Sequence, residues 1–159
     1  MALAIGRFLR GVIDGRLPNM VTIEEEIEWL KNYLVIEQLR FADRLRLRWA
    51  IDPAALQLMV PAMILQPLVE NAMTHGVAQT SEPTLVEIVV ERHEQRLRII
   101  IRNRSDSPLQ PSTPGTGQGL QLIRDVLTVA YGTDVELANT ALIDGYEVRI
   151  AAPARVADD

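Results

Sequence analysis

A chain of 159 residues, 48% hydrophobic and 23% charged, has the length and composition of one soluble domain with a sizeable core. Its net charge of -5, with arginines spread along alternating segments, argues against a nucleic-acid surface. The lack of cysteine excludes disulfides, a thiol nucleophile and Cys-ligated zinc, and fits a reducing cytosol. No apolar run approaches the roughly 18 residues of a membrane span, and the N-terminus lacks a signal-peptide cleavage site.

Residues 2–14 read as a short amphipathic helix with Ile5, Phe8, Leu9 and Val12 on one side, broken by "GRLPN". Thr22 and Glu25 then make a capping box for a helix over 22–41, whose apolar stripe is Ile23, Ile27, Leu30 and Leu34. Its acidic start "EEE" suits the positive end of the helix dipole. After Phe41 the period changes to two: Leu45, Leu47, Trp49 and Ile51 alternate with arginines, so that Arg44, Arg46 and Arg48 read as a solvated strand face. Residues 53–60 cross over. Pro61 opens a helix over about 62–75, Pro67 bends its first turns, and Gly76 closes it as a C-cap.

Two strands built on Val86, Ile88, Val90 and on Leu97, Ile99, Ile101 follow, with "HEQ" at 93–95 as their turn and His93 solvated there. Residues 104–119 hold three of the nine prolines and three of the nine glycines, a loop long enough to need a purpose such as a lid over a ligand. A helix over about 119–131 and a hairpin carrying Val135, Leu137, then Tyr146, Val148 and Ile150 complete the domain, and "RVADD" reads as a frayed tail. Strands with one apolar and one charged face imply an α/β two-layer sandwich, its mostly antiparallel or mixed sheet covered by helices on one face.

Within "LVENAMTHGV", Glu70, Asn71 and His75 interrupt an apolar helix, with Asn71 and His75 four apart on one face. Alone they fit either an exposed helix edge or a ligand-facing one. "GTGQG" lacks the lysine of a P-loop and follows a proline-rich loop instead of a strand, which excludes a Rossmann turn. Gly115, Gly117 and Gly119 fit simple flexibility, or backbone amides approaching phosphates at the N-terminus of the next helix.

Taken together, "LQPLVENAMTHGV" resembles the N-box of the GHKL (Bergerat) ATP-binding fold shared by gyrase, a heat-shock chaperone, histidine kinases and MutL, and "GTGQGLQLI" resembles its second glycine box. "VTIEEEIEWLKNYLVIEQLRFADRLRLRWAID" followed by "VPAMILQPLVENAMTHG" is similar to LytS-like sensor histidine kinases. The resemblance implies ATP and Mg²⁺ as cofactors and divides the chain into the end of a dimerisation hairpin (1–20), a catalytic ATP-binding domain (21–153) and a disordered tail (154–159). It implies Asn71 as the Mg²⁺ ligand and Glu70 as the catalytic carboxylate. His75, Gly76, Asn103, Gly115, Gly117, Gly119 and Leu120 complete the ATP site it implies.

The sequence also departs from that pattern. Asn103 stands where the family has the aspartate that accepts from the adenine amino group, with Asp106 three residues on as an alternative acceptor; Thr74 replaces a lysine, Leu122 and Val126 replace Asn and Arg, and Tyr146 replaces a threonine after Gly145. His75 and His93 are the only histidines, and neither lies in a phosphoacceptor motif. The resemblance therefore implies a catalytic part that phosphorylates a helix missing from this chain. In the full-length protein it implies a homodimer and a cytoplasmic response regulator as partner, with any membrane attachment outside this part. A degenerate module acting in protein interaction, and a serine kinase of the anti-sigma type, are the other readings.

Overall fold

Thr22 both ends a strand and starts a helix. In the computed structural model, which describes residues 19–106 and 118–157, β1 is Met20–Thr22 and α1 is Ile23–Phe41. The capping box forms: Glu25 N–H donates to Thr22 Oγ1 at 3.2 Å, and Thr22 N–H donates to Glu25 Oε2 at 2.9 Å. Ile23, Ile27, Leu30 and Leu34 are all buried, and Glu26 is buried among them. The expected helix over 2–14 lies outside the described residues.

Five strands make the main sheet: β2 (Leu45–Ile51), β4 (Thr84–His93), β5 (Arg96–Ser105), β6 (Glu136–Leu142) and β7 (Gly145–Pro153), in spatial order β2-β4-β5-β7-β6. Only the β2–β4 pairing is parallel, so the sheet is mixed. Val86, Ile88, Val90, Leu97, Ile99, Ile101, Val148 and Ile150 point inward and pack with α1, α2 (Leu65–His75) and α3 (Gln118–Tyr131) into one core. This is the two-layer sandwich that strand alternation requires.

The opposite face carries charge in register. Arg48, Glu87, Arg102 and Glu147 are successive cross-strand partners on β2, β4, β5 and β7. Arg102 Nε donates to Glu147 Oε2 at 2.7 Å and Arg149 reaches Glu147 Oε1 at 2.7 Å, while Arg48 and Arg102 flank Glu87 at 3.6 and 3.8 Å. Burial pushes the Glu147 carboxyl up, but the hydrogen bonds and charges of Arg102 and Arg149 outweigh it and hold the group below its usual range.

Several local expectations are corrected. Pro61 ends a strand instead of opening a helix: β3 (Met59–Pro61) pairs antiparallel with β1 in a second, two-stranded sheet, which three-residue strands hid from periodicity. Helix α2 accordingly starts at Leu65, and Pro67 is its third residue, where a missing N–H costs no helical bond, so it need not bend the turn. Arg44 is not a solvated strand residue. It lies in the 3-10 turn Ala42–Arg44, and its Nη2 donates to the Val77 and Thr80 carbonyls at 2.8 and 2.6 Å. His93 is the exposed last residue of β4, and Glu94 at φ 54 makes the turn. The tail is tied down as far as residue 156: Met59 N–H donates to the Arg155 carbonyl at 2.7 Å, Ala154 N–H donates to the Gln95 carbonyl at 2.8 Å, and Val156 bridges Leu58.

Candidate functional site

The C-terminal half of α2 packs against β5 and β7, and Asn103 and His75 meet it there. Asn103 is wholly buried near the end of β5. Its Nδ2 donates to the Ala72 carbonyl of α2 at 2.9 Å, which fixes the amide, and its Oδ1 is buried with no hydrogen-bond partner. Two glycines make room for it. A Cβ on Gly76 would stand 2.8 Å from Asn103 Nδ2, and one on Gly145 would fall 1.8 Å from the Asn103 carbonyl oxygen. Gly76 is the C-cap of α2 as expected, but at φ -116 it needs no left-handed freedom; close approach is what requires glycine.

Asn71 is half-buried on the same helix. Its Nδ2 is buried without an acceptor, and its Oδ1 accepts no hydrogen bond from the described residues. Glu70 is half-buried, with Gln66 Nε2 donating to its Oε1 at 3.1 Å. It faces Tyr33 of α1, whose hydroxyl is pushed well above its usual range by burial, then by the charges of Glu37 and Glu70. The His75 ring lies 5.7 Å from the Tyr146 ring at 39°, and Asn139 Nδ2 donates to the Tyr146 hydroxyl at 2.7 Å. Tyr146 and Asn103 are cross-strand partners, so this aromatic pair borders the Asn103 amide.

The glycine-rich elements are placed less completely. Gly119 is exposed in the first turn of α3 with open space where its Cβ would be, and Leu120 is partly buried against the core. Gly115 and Gly117 lie outside the described residues. Asp106, the alternative acceptor, is exposed and takes Arg46 Nη2 at 3.2 Å. Val126 is fully buried in α3.

Sequence reasoning missed Glu26. Helix α2 has no side-chain cap of its own, and Glu26 supplies one from α1: Oε1 accepts from Met63 N–H at 2.6 Å, and Oε2 from Ile64 and Leu65 N–H at 3.0 and 2.9 Å. The signal was present, because 26 falls at i+3 of the stripe that begins at Ile23.

The donor set suits a metal that brings its own oxygens. Among the described residues no group of three or more His, Asp or Glu could cage an ion. One free amide oxygen beside a carboxylate matches Mg²⁺, which keeps most of its shell for water and phosphate.

A family model described as histidine kinase matches residues 1–45. The chain is 35% identical over 131 residues to the sensor histidine kinase BtsS of Escherichia coli (strain K12), covering 82% of this chain and 23% of that protein. It is 27% identical over 148 residues to the sensor protein LytS of Staphylococcus haemolyticus, covering 86% and 25%. The chain thus spans about a quarter of the length of these curated relatives. Its fold matches the catalytic domain of histidine kinase ThkA with a TM-score of 0.66 at 18% identity, over 86% of this chain and 97% of that one. ThkA bound to the response regulator protein TrrA matches at 0.61 and 14% identity, over 97% of this chain and 48% of that one. The likeness to LytS-like sensor histidine kinases read from the motifs holds, and the fold is that of a histidine kinase catalytic domain.

Proposed function

We propose that this region is the ATP-binding catalytic part of a two-component sensor histidine kinase, working in the cytoplasm with a response regulator and, in the full-length protein, as a homodimer. Asn71 Oδ1 would hold Mg²⁺, which would supply positive charge to offset the negative charge of the phosphates. Glu70, steadied by Gln66, would polarise the attacking imidazole. His75 and Gly76 border the phosphates, Gly115, Gly117 and Gly119 form the lid, and Leu120 backs them. Asn103 Oδ1 accepts from the adenine amino group, through a water or after the turn beyond Gly76 opens, since the amide is fully covered.

The observation that carries this reading is the Asn103 amide. Its nitrogen is committed to Ala72, so the oxygen left over is a buried acceptor of fixed direction, the group that the adenine amino hydrogen needs. Calorimetric titration of the chain with Mg-ATP tests it: saturable binding that Asn71→Ala weakens only in the presence of Mg²⁺ supports the site, and no heat of binding sinks it. One observation favours the rival reading of a degenerate module acting in protein interaction or regulation, namely that Asn103 is neutral and wholly covered; that reading expects only weak nucleotide binding.

The phosphoryl acceptor is a histidine other than the chain's own. His93 is exposed at the end of β4 and His75 sits against Tyr146, whereas in-line transfer needs an acceptor nitrogen within about 3 to 3.5 Å of the γ-phosphate, as a helix presented from outside the pocket supplies. Labelled ATP should give no acid-labile phosphate on this chain, whereas an added hairpin fragment bearing an acceptor histidine should be labelled.

A further inference from the structure

Resting on the nucleotide roles just proposed, we infer that Glu26 is the positioning residue of the site, a carboxylate reaching from α1 that fixes the first turn of α2 and through it the placement of Glu70 and Asn71. Three consecutive amides converge on one side chain. Met63 stands at φ 65, in the left-handed region, and Ile64 follows at φ -88, ψ -38. This left-then-right alternation turns successive N–H groups inward into an anion nest, and here the anion is part of the protein.

Among the described residues Glu26 is the side chain these three amides reach, while Ile64 and Leu65 pack into the core. Ile64, the N-cap, makes no side-chain bond, so without Glu26 the amides of Met63, Ile64 and Leu65 would be donors with no partner in a nearly dry place, where Glu26 is 2% exposed. A left-handed methionine is strained, and persists where surrounding bonds over-determine it. Asn71 lies six residues beyond Leu65, about 9 Å along the axis, and every residue of slip in the first turn would rotate it by about 100°. Asn103 fixes the other end of the same helix through Ala72. Helix α2 is thus pinned at both ends by side chains from other elements, and Glu26 is the one that sets its start.

A role limited to folding and a role in positioning separate in one experiment. The full chain as wild type, Glu26→Gln and the exposed control Glu28→Gln is titrated with ADP, with and without Mg²⁺, and its amide hydrogen exchange is followed. Glu26→Gln should lose protection at Met63, Ile64 and Leu65, and should shrink the Mg²⁺-dependent gain in ADP affinity at least fivefold. Metal-free affinity and protection of Ile88, Ile99 and Ile101 should stay within twofold, and Glu28→Gln should match wild type. Lost protection at 63–65 with an unchanged Mg²⁺ gain makes Glu26 a helix cap only and overturns the positioning role. Unchanged protection at 63–65 overturns it as well, whatever the nucleotide does. A wild type that ignores ADP while the exchange pattern changes as stated would overturn the nucleotide reading instead, leaving Glu26 as the residue that sets α2. Should Glu26→Gln fail to fold, Glu26→Asp, one methylene shorter, carries the same comparison.

Discussion

The two faces of one sheet treat their buried polar groups in opposite ways. On the outer face, Glu87 and Glu147 are nearly covered, and both are met by arginines from neighbouring strands. On the helix-covered face, Asn103 Oδ1 and Thr84 Oγ1 are covered and meet nothing, and Asn71 Nδ2 in the helix above is in the same condition. Burial is similar, so burial does not separate scaffold from site. Hydrogen bonding differs instead: the outer carboxylates have their partners inside the fold, and Asn103 Oδ1 keeps an accepting position open.

The largest way to break this contrast is to cut the outer row at its centre. Arg102→Leu strips the partner shared by Glu87 and Glu147, and should lower unfolding free energy by about 2 to 3 kcal/mol, read by urea denaturation, with no change in preference between ATP and GTP. A loss below 0.5 kcal/mol, by order of magnitude that of an exposed pair, would show the row to be solvated after all.

Asn103→Asp probes the other face. A carboxylate cannot donate to Ala72, so the free domain should lose about 1 to 3 kcal/mol, while a charged acceptor should raise affinity for ATP relative to GTP. Equal change for both nucleotides would mean that residue 103 does not read the base.

Acid should separate two carboxylates. Glu147 lies below its unfolded value, so its stabilisation is present above the usual carboxylate range and is lost as pH falls through its folded value. Glu26 is raised, by burial above all and against the three amides it accepts from, so its contribution runs the other way: full below its unfolded value, and lost as pH rises through the folded one. Thermal midpoints across pH 3 to 7, roughly the span of carboxylate titration, should show Glu147→Gln flattening the acid limb and Glu26→Gln removing a decline towards neutrality. The same slope in both variants would contradict these assignments.

The smallest expected effect is on Asn71. Its buried nitrogen has no acceptor to lose, so Asn71→Ala should change the unfolding free energy by less than about 0.5 kcal/mol while abolishing the Mg²⁺-dependent part of ATP affinity. A large fall in stability with nucleotide binding intact would make Asn71 a structural residue.

The sequence by itself determined the elements whose signal is local. A capping box needs only Thr22 and Glu25, a buried stripe only spacing, and strand alternation only a period of two, so α1, the sheet strands and the layer architecture were legible. The motifs around Asn71 and Gly76 were legible because short stretches carry them whole. Tertiary structure alone decided what depends on contacts between distant residues. The β1–β3 pairing joins positions about forty apart, and Arg44 reaches Val77. Gly145 is glycine because Asn103 lies against it, and the acidic start of α1 includes a carboxylate that caps another helix. Periodicity places a side chain on a face; only the packed chain decides which backbone amide that face meets.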